Sequence, residues 1–382
     1  MGEMREKDDG EGMSGTREEL TGVPGLARLV VVDRTGSTND DLRSALTGVD
    51  GRLDLRAAAA WPHISALWAR RQDAGRGRAG RRWITPPGSA LTVSFVLRPL
   101  VPAAALAWLP LLAGLAARDV VDAILISARA PWRARTKWPN DVVLVPNERA
   151  GEGIAAGAST GEGTGSGAGA AAVPVPAEIP GWGRARKVAG VLAELIPTAG
   201  GIGARTSAGT TGTADASGAV AAGAADAPGA VGAAGAPGGG GAGGAVGADR
   251  GAACAVVLGI GVNTGQSESE LPVPWATSLR LAGARVEPRA LLEPLSARLD
   301  ELVTAWEAGE GDPDAGDGAL GAALRRACTT LGRRVRVDAP GGVLRGTAVD
   351  IAPGLVLRGA DGTMRTVDAG DVSHVRTDGA VD

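Results

Sequence analysis

The sequence predicts an α+β chain: one compact sheet carrying helices, followed by a small second unit of short strands. Three observations lead there. Between residues 26 and 263 apolar, strand-length runs recur, and stretches with helical period lie among and after them. Past Leu331-Gly332 the texture changes to short alternating runs separated by Pro-Gly-Gly, Pro-Gly and Asp-Gly turns. The 61 glycines in 382 residues far exceed ordinary usage and mark low-complexity segments, so the folded length is shorter than the chain.

In chain order, residues 1–25 are acidic and Gly-rich without an apolar core, which predicts a disordered tail and no signal peptide. Leu26–Val32 is a Val-rich strand. Ser37, Thr38 and Asn39 then stand just before a helical Leu42–Leu46 as N-cap candidates, placed also to hydrogen-bond a small polar ligand. Ile64–Ala69 is a strand that delivers the loop Arg70–Trp83, and Ala90–Leu97 is the next strand. The uncharged run Pro99–Ala117 approaches membrane-spanning length. It contains Pro102 and Pro110 and leads into Arg118-Asp119, so it reads as part of a core helix through Leu106–Ile124.

Pro139 pushes Trp138 into an extended conformation, and Asn140-Asp141 turns into the strand Val142–Val145. Lys187–Ile196 and Ala255–Asn263 are further strands whose glycines permit close approach of a backbone or ligand. Arg289–Glu307 and Ala319–Leu331 have helical period. Arg334–Val337, Val343–Val349, Leu355–Leu357, Met364–Val367 and Val372–Val375 then make a small β-barrel. The segments at about 146–186 and 198–251 cannot bury enough surface to offset the entropy of ordering. They read as disordered insertions, which divides the chain into a domain over 26–331 and a barrel over 332–382.

Composition narrows the chemistry. With 39 basic and 42 acidic residues, no global field favours nucleic acid or an anionic membrane. Cys254 and Cys328 form no Cys-x-x-Cys and have no nearby histidine, which argues against a disulfide framework or a zinc site and suits a reducing cytoplasm. His63 and His374, the only histidines, read as surface or loop residues, so a catalytic triad is hard to build. What remains is cationic. In Arg76-Gly77-Arg78-Ala79-Gly80-Arg81-Arg82-Trp83, with Gly75 before it, the glycines allow φ > 0 and the guanidinium forks match carboxylates and phosphates. Read alone, this loop also fits a solvated basic segment or an RNA contact. Lys137, Asn140 and Asp141 place an amine, an amide and a carboxylate within five residues on a stiff turn, more than a structural turn requires. The Gly-x-Gly of Gly259-Ile260-Gly261 has neither a following helix glycine nor a P-loop lysine, so it is neither a Rossmann nor a Walker motif.

Taken together, five stretches closely resemble the biotin–protein ligases: Gly36-Ser37-Thr38-Asn39, Gln72–Arg81, Lys137-Trp138-Pro139-Asn140-Asp141-Val142, Lys187–Leu192 with Glu194, and Gly259-Ile260-Gly261-Val262-Asn263. They occur in the family's order and are followed by its terminal barrel. The resemblance implies the mixed sheet shared by class II aminoacyl-tRNA synthetases and biotin ligases, with an SH3-like C-terminal β-barrel. It implies activation of biotin by ATP to biotinyl-5′-AMP, then transfer to a lysine of a biotin carboxyl carrier protein domain. Within it Lys187, Arg78 and Asp141 are the expected catalytic residues. Ser37, Thr38, Asn39, Gln72, Arg76, Gly77, Arg78, Lys187 and Gly190 are expected at biotin. Arg76, Arg78, Arg81, Trp83, Lys137, Asn140 and Asn263 are expected at ATP or the adenylate. Mg²⁺ is expected because ATP's phosphates need it, with Asn263 near it. Ala79 stands where some relatives carry another arginine. Some relatives also carry an N-terminal helix-turn-helix domain; the stretch before the first strand is too short for one, so a ligase without a DNA-binding role is expected. Relatives dimerise through the sheet, but no dimer edge is readable here. A lipoate– or octanoate–protein ligase, and a non-catalytic biotin-binding module, are the competing readings.

Overall fold

The computed structural model describes residues 5–6, 13–84, 86–147, 176–198, 254–368 and 370–374. Nine strands form the large sheet: β1 (Arg5–Glu6), β2 (Met13–Leu20), β3 (Arg28–Thr35), β4 (Ser65–Ala69), β5 (Ala90–Leu97), β6 (Trp132–Lys137), β7 (Asp141–Pro146), β8 (Arg186–Pro197) and β9 (Cys254–Asn263). Their order is β1-β2-β3-β4-β5-β9-β8-β7-β6. Among the described strands only β3 and β4 pair in parallel, which makes the sheet mixed.

The two-residue period of the strands sorts side chains between the faces. Val30, Val32, Leu67, Ala69 and Val96 meet Leu42, Leu46 and Ala58 of helices α1 (Thr38–Leu46) and α2 (Leu55–Ala59). Leu29, Val31, Trp68, Val93 and Phe95 turn the other way, into the core beneath α3 (Leu109–Ser127) and α4 (Leu292–Ala308). Each Val, Leu or Phe buried in this way stabilises by roughly 1.5–3 kcal/mol. The α1 face changes chemistry along its length. Val96, Val257 and Ile196 are apolar, but further along come Thr92, Ser94, Gly259, Gly261 and Gly190. Hydroxyls and missing side chains leave that end of the face polar and hollow.

Helix starts follow local rules. Ser37 is extended at φ −157° and its side chain accepts from the Asp40 amide, capping α1. The expected helix over Leu106–Ile124 is divided: Ala103–Trp108 is a 3₁₀ turn and the α-helix begins at Leu109, with Pro110 in the first turn where no N–H is needed. No helix among the described residues is long and apolar enough to cross a membrane.

After α4 and α5 (Ala319–Ala327), strands β10 (Arg334–Ala339), β11 (Gly342–Ala352), β12 (Gly354–Arg358), β13 (Met364–Val367) and β14 (Asp371–His374) build an antiparallel sheet in the order β13-β12-β11-β10-β14. Its inward residues Val335, Val337, Ile351 and Leu355 belong to the same apolar cluster as Trp138 and Leu324. Trp138 joins the two sheets: its amide donates to Thr330 Oγ1 and its indole Nε1 to Pro353 O, at 3.1 and 3.2 Å.

Three expectations change. Residues 13–20, read as disordered tail, form β2, paired antiparallel with β3. The pairing is made by backbone, so polar Arg17, Glu18 and Glu19 gave no apolar signal. The expected insertion at 146–186 is ordered over 176–186, where Ile179 and Gly183 pair across a turn; residues 148–175 and 199–253 lie outside those described. His374 is neither a surface nor a loop residue: it lies on β14, largely enclosed, its Nε2 buried without a partner. His63 does lie in a turn, where its Nδ1 accepts from the Arg98 amide.

Burial, helped by the charges of Lys137 and Arg333, pushes the His374 pKa from 6.5 down to about 4. An unfolded chain therefore binds the extra proton between those values, and the native chain loses stability as pH falls through that window. Denaturant unfolding followed from pH 7 to pH 4 is expected to show this loss, and His374→Gln to flatten it.

Candidate active site

The hollow end of the α1 face opens into a cavity of about 550 Å³. All the residues nominated from sequence line it: Ser37, Thr38, Asn39 and Gln72; Arg76, Gly77, Arg78, Arg81 and Trp83; Lys137, Asn140 and Asp141; Lys187, Gly190 and Asn263. How each arrives there differs.

Ser37–Asn39 come from the start of α1. Gln72 follows β4, extending the parallel pairing with β3 through a Thr35–Gln72 bridge. Its Oε1 accepts from the Thr38 amide at 2.8 Å and from Thr38 Oγ1 at 2.9 Å. Ser94 Oγ lies 2.7 Å from Thr38 Oγ1 and 2.6 Å from Asn39 Oδ1. This end of the cavity is a connected set of hydroxyls and amides.

The Arg-Gly loop folds back on itself, pairing Arg76 with Arg82. Of its glycines only Gly80 takes positive φ, at 72°, beside Ala79 at 53°. Gly75 is needed for another reason: a Cβ there would stand 2.5 Å from Trp83 O. Trp83 lies over the sheet glycines, where a Cβ on Gly261 would meet its ring at 2.5 Å and one on Gly190 at 3.3 Å. Its Nε1 is buried without a hydrogen-bond partner.

Lys137, Asn140 and Asp141 ride on the β6–β7 hairpin, whose turn contains a cis Trp138–Pro139 bond. Lys187 reaches the cavity through a register shift. Val142 pairs with Ala189 and Val143 with Lys187, so Val188 is an extra residue; it enters the core and Lys187 turns inward. Lys187 Nζ then sits 2.5 Å from Asp141 Oδ1 and 5.7 Å from the Trp83 ring centre.

Charge is unbalanced here. Arg76, Arg78, Arg81, Arg82, Lys137 and Lys187 share the cavity wall with Asp141, Glu270 and Asp371, six cations against three carboxylates. Arg76 is held by Asp40 at 2.5 Å. Arg81 forms a two-pronged bond to Asp371 of β14 at 2.8 and 2.9 Å, which keeps that carboxyl below its usual range. Arg78 and Lys137 have no ion pair among the described residues. Arg78 reaches only Asn140 Oδ1, at 3.4 Å, and burial pushes its pKa down. Lys137 donates to Val372 O at 2.6 Å and lies 4.2 Å above the Trp182 ring; burial lowers its pKa as well. Buried cations without counter-charges are costly unless an anion joins them.

Sequence reading missed several wall residues. Trp182, inside the expected insertion, stacks on Trp275 with centroids 5.9 Å apart. Asp371 and Ser373 come from the small sheet. An aromatic in a Gly/Pro-rich stretch was the available signal for Trp182; nothing local marks Asp371. Asn263 also has structural partners. Its Nδ2 donates to Thr277 O and its Oδ1 accepts from Gln266, so its amide pins the chain after β9. No group of three His, Cys, Asp or Glu among the described residues could hold a metal. The residues do not fit a resident Mg²⁺, which would enter on the nucleotide as part of the substrate.

Residues 53–206 match the model of the biotin/lipoate A/B protein ligase family, and residues 330–375 match that of the biotin protein ligase C terminal domain. The chain is similar to the biotin–[acetyl-CoA-carboxylase] ligase of Mycobacterium tuberculosis, 28% identical over 367 residues and 94% of each protein. It is 38% identical to that of Paracoccus denitrificans over 118 residues, 31% of this chain and 42% of the relative. The fold is that of the biotin protein ligase of Aquifex aeolicus, solved in complex with biotin and ATP, with a TM-score of 0.51 at 18% identity over 91% of this chain and 99% of the other.

The Arg81–Asp371 pair ties the loop to the small sheet, and its half-exposed partners limit its contribution to about 1 kcal/mol. Asp371→Asn is expected to speed tryptic cleavage within Arg76–Arg82 roughly fivefold while the global unfolding midpoint moves little. An unchanged cleavage rate would mean that the loop is held elsewhere.

Proposed function

We infer the function from descent: the chain belongs to the biotin/lipoate A/B protein ligase family, and we read it as an ATP-dependent biotin–protein ligase. The observation that carries this reading is a pair of cations without ion-pair partners among the described residues, buried Lys137 and half-buried Arg78, in the same cavity as a polar end built of hydroxyls and amides. Such a cavity suits a ligand anionic at one end and able to hydrogen-bond at the other. Biotin's carboxylate and cyclic urea supply these, and ATP supplies further negative charge.

In the first step a carboxylate oxygen of biotin attacks the α-phosphorus of ATP. The bond to the bridging oxygen breaks, giving biotinyl-5′-AMP and pyrophosphate. Two anions must meet, so the enzyme's task is to neutralise and align them. We assign this to Lys187, with Arg78 from the loop and Lys137 from the hairpin. Asp141 holds Lys187 in place before substrate arrives. Arg76 and Arg81, already paired with Asp40 and Asp371, hold the loop's shape. Trp83, over Gly190 and Gly261, walls the cavity between its polar and cationic ends. In the second step the neutral amine of a carrier lysine attacks the acyl carbon, the bond to AMP breaks, and the amine's extra proton is released. Asp141 is placed to orient that amine. The carrier is the biotin carboxyl carrier domain of an acetyl-CoA carboxylase, the setting is the cytoplasm, and the reading includes no nucleic-acid role.

Because the family also contains lipoate ligases, the test compares acids. ATP–pyrophosphate exchange by the purified protein is expected with biotin and not with lipoate or octanoate. Lys187→Ala should lower it by on the order of a hundredfold or more with the fold retained. Exchange with lipoate alone would replace biotin in this reading; near-normal exchange by a folded Lys187→Ala would remove Lys187 from its role.

A further inference from the structure

Glu194 lies on β8, four residues past Gly190, on the α1 face of the sheet, and its side chain is only 18% exposed. Its Oε2 accepts from Asn39 Nδ2 at 2.7 Å, with Leu192 O a second acceptor at 3.4 Å. Its Oε1 stands 3.7 Å from Arg76 NH1. Glu194 thus meets one residue of the polar end and one of the Arg-Gly loop.

An ionised carboxylate only accepts hydrogen bonds. Next to Glu194, the Asn39 amide must therefore present its NH₂ to the carboxylate and its oxygen away from it. That oxygen lies over the cavity floor, 2.4 Å from where a Cβ on Gly259 would stand. The direction propagates. Gln72 Oε1 is fixed at the far end by the Thr38 amide and takes the Thr38 hydroxyl proton. The single Ser94 hydroxyl proton is left to serve two acceptors, Thr38 Oγ1 and Asn39 Oδ1. One acceptor stays unfilled, so this end of the cavity has a surplus of acceptors. Its complement is a ligand carrying N–H groups.

We propose that Glu194 is a positioning residue for the acyl substrate: it orients the Asn39 amide so that the polar end of the cavity accepts the N–H groups of biotin's urea. The proposal rests on the biotin reading above. Glu194 touches no substrate and acts through Asn39. A glutamine at 194 has the same volume but can offer either an oxygen or an NH₂, so the Asn39 amide loses its enforced direction. Arg76 keeps its bond to Asp40 and the loop stays docked.

The test is calorimetric titration of the full chain with biotin in the absence of ATP. Glu194→Gln is expected to weaken biotin binding by on the order of tenfold, while the KM for ATP in pyrophosphate exchange stays at the parent value. Because the effect runs through Asn39, Asn39→Ala and the double variant Asn39→Ala/Glu194→Gln are expected to bind biotin equally. Glu194→Met matches the length and leaves no charge to desolvate; it is the second variant should the first not fold, with the same expectation. Parent-like biotin affinity in a folded Glu194 variant, an equal loss for ATP, or an undiminished effect in the Asn39→Ala background would each overturn the proposal. A parent chain that does not bind biotin would overturn the functional reading, and this proposal with it.

Discussion

Positive charge that the protein itself leaves uncompensated governs the site. Lys137 is buried and Arg78 half-buried, and no carboxylate of the described chain pairs with either. Such an arrangement persists only if packing imposes it. Here the imposing elements are the Arg-Gly loop, anchored at Asp40 and Asp371, and the β6–β7 hairpin, anchored through Trp138 to the small sheet. Three of the others are paired, Lys187 with Asp141, Arg76 with Asp40 and Arg81 with Asp371, while among the described residues the exposed Arg82 donates only to Asp73 O. Positioning and neutralising are thus divided among residues of the same chemical type, and the unbalanced ones are left for the ligand.

This division explains why the second sheet is part of the site. Asp371 fixes one end of the loop, the Val372 carbonyl fixes Lys137, and Ser373 lines the cavity, all within one short strand. The segment before β8 is wedged against the same strand, where the His374 amide donates to Gly181 O. Trp182 then covers Lys137 and stacks on Trp275. The cavity is therefore a seam, closed on one side by the large sheet and on the other by β14 and the turn at 179–183.

Much of this was readable in advance where chemistry is local. Ala90–Leu97 announced itself by the alternation of Leu91, Val93 and Phe95 with Thr92 and Ser94, and the α1 start by Ser37, which caps it. The cavity residues were named because five stretches together resemble the biotin–protein ligases; read alone, the Arg-Gly loop left a solvated segment or an RNA contact equally open. What escaped depends on partners distant in sequence. The polar edge strand β2 exists only because β3 offers it a ladder, and Asp371 matters only because Arg81, 290 residues away, reaches it. Asn263 lines the cavity, but its bonds to Thr277 and Gln266, which hold the chain after β9, were not announced by its place in a motif. Residue type and spacing could not show which of six cations would remain unpaired.

If the cavity activates biotin, its product must be handed to a protein amine. The most direct measurement is the intact mass of a purified acetyl-CoA carboxylase carrier domain after incubation with this protein, biotin and ATP. The account predicts one biotinyl addition, dependent on ATP and mapped by peptide sequencing to a single lysine. A carrier that stays unmodified while the adenylate forms and leaks into solution would contradict the transfer step, and with it the reading of this chain as a biotin–protein ligase.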